Sequence, residues 1–222
     1  MTREGAAPVA RRVLLLAYLV CAVVDLFAVA TSNVELERLA KPLLMPILAG
    51  YLLVRVGARR SVWLVVVSLA FACGGDIALL GSGGVWFGVG MALFAVTHLC
   101  YVATFVRMGA LRGLRRRFWI PAAYAVAWVV LVLVVRPRVS LVFLVALAAY
   151  GLLLFAMGST AAAVDTLLGL GALLFVVSDV LNGLGAGGLA MPGHDLVVMA
   201  TYILGQAAIV VRLATLTLRR AR

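Results

Sequence analysis

Two carboxylates interrupt long apolar runs in this 222-residue chain. Asp76 sits in CGGDIALLG at 73–81, and Asp179 in VVSDVLNGLG at 176–185. An ionised carboxylate facing hydrocarbon costs roughly 2.5–3.5 kcal/mol at a helix centre, so both should face protein or water. Inside a membrane such groups mark chemistry or a polar pathway, or they cap and pair neighbouring helices.

Other polar residues fall at comparable positions. Asp25 interrupts the first apolar run, and Lys41 opens the second, directly before Pro42. Asp25 either pairs with Lys41 or meets a substrate itself. Lys41 either contacts a phosphate head group or anchors its helix at the interface, because lysine snorkels. Tyr202 and Gln206 are one turn apart on the last run. They bind a polar head group or join a helix–helix network. Asn182, three residues past Asp179, orients that carboxylate, binds water or caps the helix before Gly183. His98 reads as a packing histidine beside Phe94, Tyr101 and Phe105. His194 is expected in a loop, and two histidines cannot make a three-histidine metal centre. Cys21, Cys73 and Cys100 read as small buried hydrophobes, with no CxxC spacing among them.

The elements that must position these groups follow from composition. Hydrophobic residues make up 66% of the chain, mean hydropathy is +1.19, and charged residues account for only 12%. An ordinary soluble domain carries roughly 25% charged residues. Apolar runs of about 18 residues or more read as membrane spans. Eight are expected, at 13–31, 40–56, 61–80, 84–106, 118–135, 139–157, 163–183 and 195–216. Each must be helical or closed off from lipid, because unpaired backbone groups are too costly in hydrocarbon. Pro46 should bend or distort the second. The fold class is therefore all-α: a membrane domain over 13–216, a short N-terminal segment at 1–12 and a basic tail at 217–222. Asp76 and Asp179 each lie late in an odd-numbered span, about four residues or roughly 6 Å from its end at helical rise. Two similarly oriented four-helix halves would place them so.

Charge sets the expected orientation. Arg3, Arg11, Arg12, Arg55, Arg59, Arg60, the group Arg107 to Arg117, and Arg219 to Arg222 all fall on one side of an eight-span chain. The other side holds Arg38, Lys41, Arg136 and Arg138. The positive-inside rule then puts both termini in the cytoplasm of a bacterial-type membrane. The net charge of +11 is spread over loops, without a long basic helix, so it does not point to nucleic acid. The first run contains Asp25 and lacks a clean cleavage pattern, so it reads as a retained span rather than a signal peptide. No nucleotide-binding glycine motif and no GxSxG elbow is present.

Five phrases occur in order on successive spans: KPLLMP at 41–46, GGDIALL at 74–80, FAVTHLCY at 94–101, LFVVSDVLNG at 174–183 and YILGQ at 202–206. Together they resemble the YhhN-like lysoplasmalogenase family of integral membrane proteins, over about residues 13–216. The resemblance implies an eight-helix fold and hydrolysis of the vinyl ether of a lysoplasmalogen. The products would be a fatty aldehyde and a glycerophospho head group bearing ethanolamine or choline. It implies that Asp76 and Asp179 are the functional aspartates, supported by Lys41, Pro42, Tyr202 and Gln206. A vinyl ether is acid-labile, so two aspartates can divide general acid and base work. The expected partner is a single-chain phospholipid among membrane lipids, with no metal or organic cofactor. A proton-coupled lipid or small-solute transporter is the competing reading.

Overall fold

The eight apolar runs become eight long helices in the computed structural model, which describes residues 3–220. In chain order the helices are α1 (Arg3–Ala30), α2 (Val34–Val56), α3 (Trp63–Leu79), α4 (Gly84–Arg107), α5 (Ala110–Arg116), α6 (Trp119–Val135), α7 (Leu141–Val164), α8 (Thr166–Ala186) and α9 (His194–Arg220). All but the short basic α5 are long and apolar enough to cross a membrane, α3 and α6 together with the 3-10 turns at Arg60–Val62 and Arg136–Arg138. No strand occurs among the described residues. The chain is an all-α polytopic membrane protein.

Three boundaries differ from the hydropathy reading, each for a local reason. α2 starts at Val34, because Asn33 accepts the Leu36 N–H at 3.1 Å and Glu35 and Glu37 occupy the first turn. Acidic side chains and an asparagine cap both favour a helix start. Lys41 therefore lies two turns inside α2 rather than at its beginning. α7 continues to Val164, and only Asp165 separates it from α8. The Asp165 carboxylate accepts the Leu168 N–H at 3.0 Å and starts the new helix there. α8 then runs past Gly183 to Ala186. Asn182 is thus inside a helix and caps nothing, and Asp179 lies about 10 Å from the helix end, deeper than expected.

Pro42 and Pro46 both sit within α2. Pro46 has no N–H, so the carbonyl of Pro42 loses its helical donor. The Cys73 thiol of α3 donates to that carbonyl at 3.3 Å. Cys21 of α1 likewise donates to Ala40 of α2 at 3.3 Å. All three cysteines are half-buried free thiols rather than fully buried hydrophobes, and these two act as links between helices.

The chain forms two compact units, one of residues 1–100 and 210–222, the other of residues 101–209. In the first, α1 packs on α2 and α2 on α3. Glycine lets α3 and α4 approach: a Cβ on Gly75 would lie 2.7 Å from the Phe94 ring, and one on Gly90 would lie 2.8 Å from Leu79. In the second unit, α6 packs on α7, and α7 on α8. Here α8 meets α9 backbone to backbone. A Cβ on Gly205 would stand 2.8 Å from the Phe175 nitrogen and 2.9 Å from the Gly171 oxygen. Small residues at such contacts are the usual basis of helix association in lipid, where no hydrophobic drive separates helix from solvent.

Candidate functional site

In the first unit, α1, α2 and α3 bring Asp25 and Asp76 each within electrostatic reach of Lys41, with Glu37 beside the lysine. Asp25 is fully buried and Asp76 is 2% exposed. Lys41 acts electrostatically on both Asp25 and Asp76. Its ammonium donates to Glu37 at 2.8 Å, one turn back along α2. Asp25 is not the hydrogen-bonded partner of Lys41: both its carboxylate oxygens are buried without a hydrogen bond. The i,i+4 spacing explains the outcome, since Glu37 and Lys41 are neighbours on one helix face and need no second helix to meet. Asp76 is carried on the same face of α3 as Cys73, three residues earlier. The Cys73–Pro42 hydrogen bond therefore fastens this face of α3 to the helix that bears Lys41.

In the second unit, Asp179 of α8 accepts a short hydrogen bond from the Tyr150 hydroxyl of α7. The two line a small, partly open cleft, otherwise walled by Leu131, Leu147, Gly151, Leu154, Val180 and Gly183. Tyr150 escaped the sequence reading, although a signal was there. It is the one side chain with a nitrogen or oxygen atom between 141 and 158.

A separate stripe of α8 faces α9. Gly171, Phe175 and Ser178 recur at helical spacing, and each contacts α9. Ser178 donates to the Val198 carbonyl at 2.8 Å. The Phe175 and Tyr202 rings meet edge to face with centroids 5.4 Å apart. Gln206 is fully buried, and its Oε1 accepts the Tyr101 hydroxyl at 2.7 Å. Tyr202 and Gln206 thus have packing and hydrogen-bonding partners within their own unit. Asn182 is half-buried in α8. His98 is fully buried in α4, while His194 opens α9 and is buried against Gly185 rather than placed in a loop. Among the described residues no group of three or more His, Cys, Asp or Glu is arranged to hold a metal ion.

Each unit thus holds a carboxylate environment, in the first beside an ammonium and in the second hydrogen-bonded to a phenol. Both can support proton transfer, because each polar partner stabilises one protonation state relative to the other.

Comparison with known proteins places the chain. The model of the YhhN family matches residues 36–213, a stretch that contains Lys41, Asp76, Asp179, Asn182, Tyr202 and Gln206 and leaves out Asp25. No curated protein and no solved structure gives a significant match. With four-fifths of its length matched, the chain belongs to the YhhN family.

Proposed function

We propose that this chain is a lysoplasmalogenase-like hydrolase of a bacterial-type cytoplasmic membrane, with both termini cytoplasmic. Its substrate is lysoplasmenylethanolamine or lysoplasmenylcholine. One observation carries the reading: Asp76 and Asp179 each have a polar partner in their own unit, Lys41 for Asp76 and Tyr150 for Asp179.

The reaction needs a proton, a water molecule and relief of positive charge. Protonation of the β carbon of the vinyl ether gives an oxocarbenium ion. Water adds to the carbon bearing oxygen, and its proton passes to a carboxylate. The hemiacetal then breaks its carbon–oxygen bond to release a fatty aldehyde and the glycerol hydroxyl. One water is consumed, and the catalytic proton is returned. Asp76 and Asp179 divide the acid and base roles, and carboxylate charge stabilises the cationic intermediate. Lys41 has donors beyond its bond to Glu37 for the substrate phosphate. Tyr202, Gln206 and Asn182 support the surrounding helices and the head group, and Asp25 balances the charge of Lys41.

The test is product mass spectrometry on purified protein in detergent, with both lysoplasmenyl lipids and saturated ether controls. Aldehyde release from vinyl ethers alone, lost in folded Asp76→Asn and Asp179→Asn, is the expected result. Full turnover in both variants overturns the mechanism. Intact lipids together with proton-dependent uptake into sealed vesicles identify a transporter instead.

A further inference from the structure

The end of α2 opposite the Lys41 cluster carries a second charged arrangement. Arg55 lies in the last turn of α2, half-buried, inside a helix long and apolar enough to span a membrane. Its guanidinium donates to the Tyr51 hydroxyl at 3.0 Å and to the Thr215 hydroxyl of α9 at 3.2 Å. It also lies over the Tyr51 ring, 5.9 Å from the centroid. Both hydrogen-bond partners are neutral. No carboxylate among the described residues comes within ion-pair distance of Arg55. Its Nε is buried without a hydrogen bond.

The surroundings add positive charge. The α1–α2 turn is short, so the start of α1 lies alongside the end of α2, as the contact of Leu14 with Gly50 shows. Exposed Arg12, Arg59, Arg60, Arg219 and Arg220 therefore gather at the same end of the first unit. Arg55 differs from them in being held by a hydroxyl at each of its two terminal nitrogens and in being half-buried rather than exposed. A half-buried cation without a counter-ion is costly, and its guanidinium fork matches phosphate oxygens. The neighbouring walls belong to spans, so the phosphate that reaches it comes with an aliphatic chain.

We propose that Arg55 binds the phosphate of an anionic phospholipid, with the exposed arginines of this end drawing such lipids to it. This site is distinct from Asp76, Asp179 and the hydrolysis assigned to them. Charge-assisted, two-pronged bonds to phosphate are among the stronger polar contacts. Surface arginines act more weakly and through the general field.

The full chain in phosphatidylcholine nanodiscs, titrated with phosphatidylglycerol and followed by native mass spectrometry, tests the proposal. Wild type should retain phosphatidylglycerol in preference to phosphatidylcholine. Arg55→Gln should weaken that retention about tenfold, the loss of roughly one such contact. Arg55→Lys keeps the charge but not the fork, and should also weaken it. Arg59→Gln should have a smaller effect than either. Equal losses for Arg55→Gln and Arg59→Gln, or full retention by Arg55→Lys, would reduce the site to a diffuse basic surface and overturn the proposal. So would equal retention of the two lipids by wild type, a result that needs no variant to fold. Inorganic phosphate that displaces the lipid at equal concentration would identify free phosphate as the ligand and overturn the assignment to lipid.

Discussion

The Tyr150 hydroxyl of α7 donates to the Asp179 carboxylate of α8, the helix that follows α7 after a single intervening residue. Asp165 makes that close succession possible by capping α8 at once. The link matters because the Tyr150 hydroxyl and the Asp179 carboxylate line the same cleft.

Tyr150→Phe keeps the ring and removes the donor. A hydrogen bond to a charged group contributes about 1.5–3 kcal/mol. Turnover of a lysoplasmenyl lipid should fall roughly tenfold to a hundredfold, with a displaced pH profile. Steady-state assays across pH measure both. Unchanged rates at every pH would remove Tyr150 from any role beside Asp179.

The Cys73 thiol answers a vacancy created by Pro46, so the two positions should be coupled. Cys73→Ala alone should destabilise the first unit by about 1 kcal/mol, the usual worth of a hydrogen bond. Pro46→Ala supplies a backbone N–H for the Pro42 carbonyl, and the cysteine substitution should then cost less. A double-mutant cycle by unfolding in mixed micelles reads the coupling directly. Additive losses would count against the link.

Lys41 acts on Asp25, Glu37 and Asp76 together. Lys41→Met should destabilise the protein by about 3–5 kcal/mol, because it leaves buried carboxylates uncompensated. Adding Asp25→Asn should restore part of that loss. Thermal unfolding of the single and double variants is the measurement, and a double variant no more stable than Lys41→Met would contradict the arrangement.

Gly205→Ala places a methyl 2.8 Å from the Phe175 backbone nitrogen, where neither helix can yield without moving apart. The expected cost is about 1–3 kcal/mol, the range for overpacking. Gly84→Ala meets nothing within 4 Å and should be near neutral. Comparing the two in one unfolding assay separates the close approach of α8 and α9 from a general effect of removing glycine.

Much of the fold was legible in the chain. The span order was correct because length and hydropathy are local quantities that a bilayer-sized apolar run satisfies by itself. The misplaced boundaries trace to Asn33 and Asp165, short polar residues whose capping bonds extend or start helices against the hydropathy trend. The buried carboxylates at 25 and 76 could be noticed by their cost alone.

Partners were another matter. Lys41 could be matched on paper with Asp25 as readily as with Glu37, and nothing in the composition of α7 pointed Tyr150 at Asp179. The residue order determined eight apolar helices, their approximate ends and the family to which the chain belongs. The tertiary structure decided which polar groups meet: Lys41 with Glu37, Cys73 with the carbonyl freed by Pro46, Gln206 with Tyr101, and Tyr150 with Asp179. The physical reason is that hydropathy depends on side chains one at a time. Pairing depends on the rotation and spacing of helices, which here follow from glycine contacts and hydrogen bonds between residues distant in the chain.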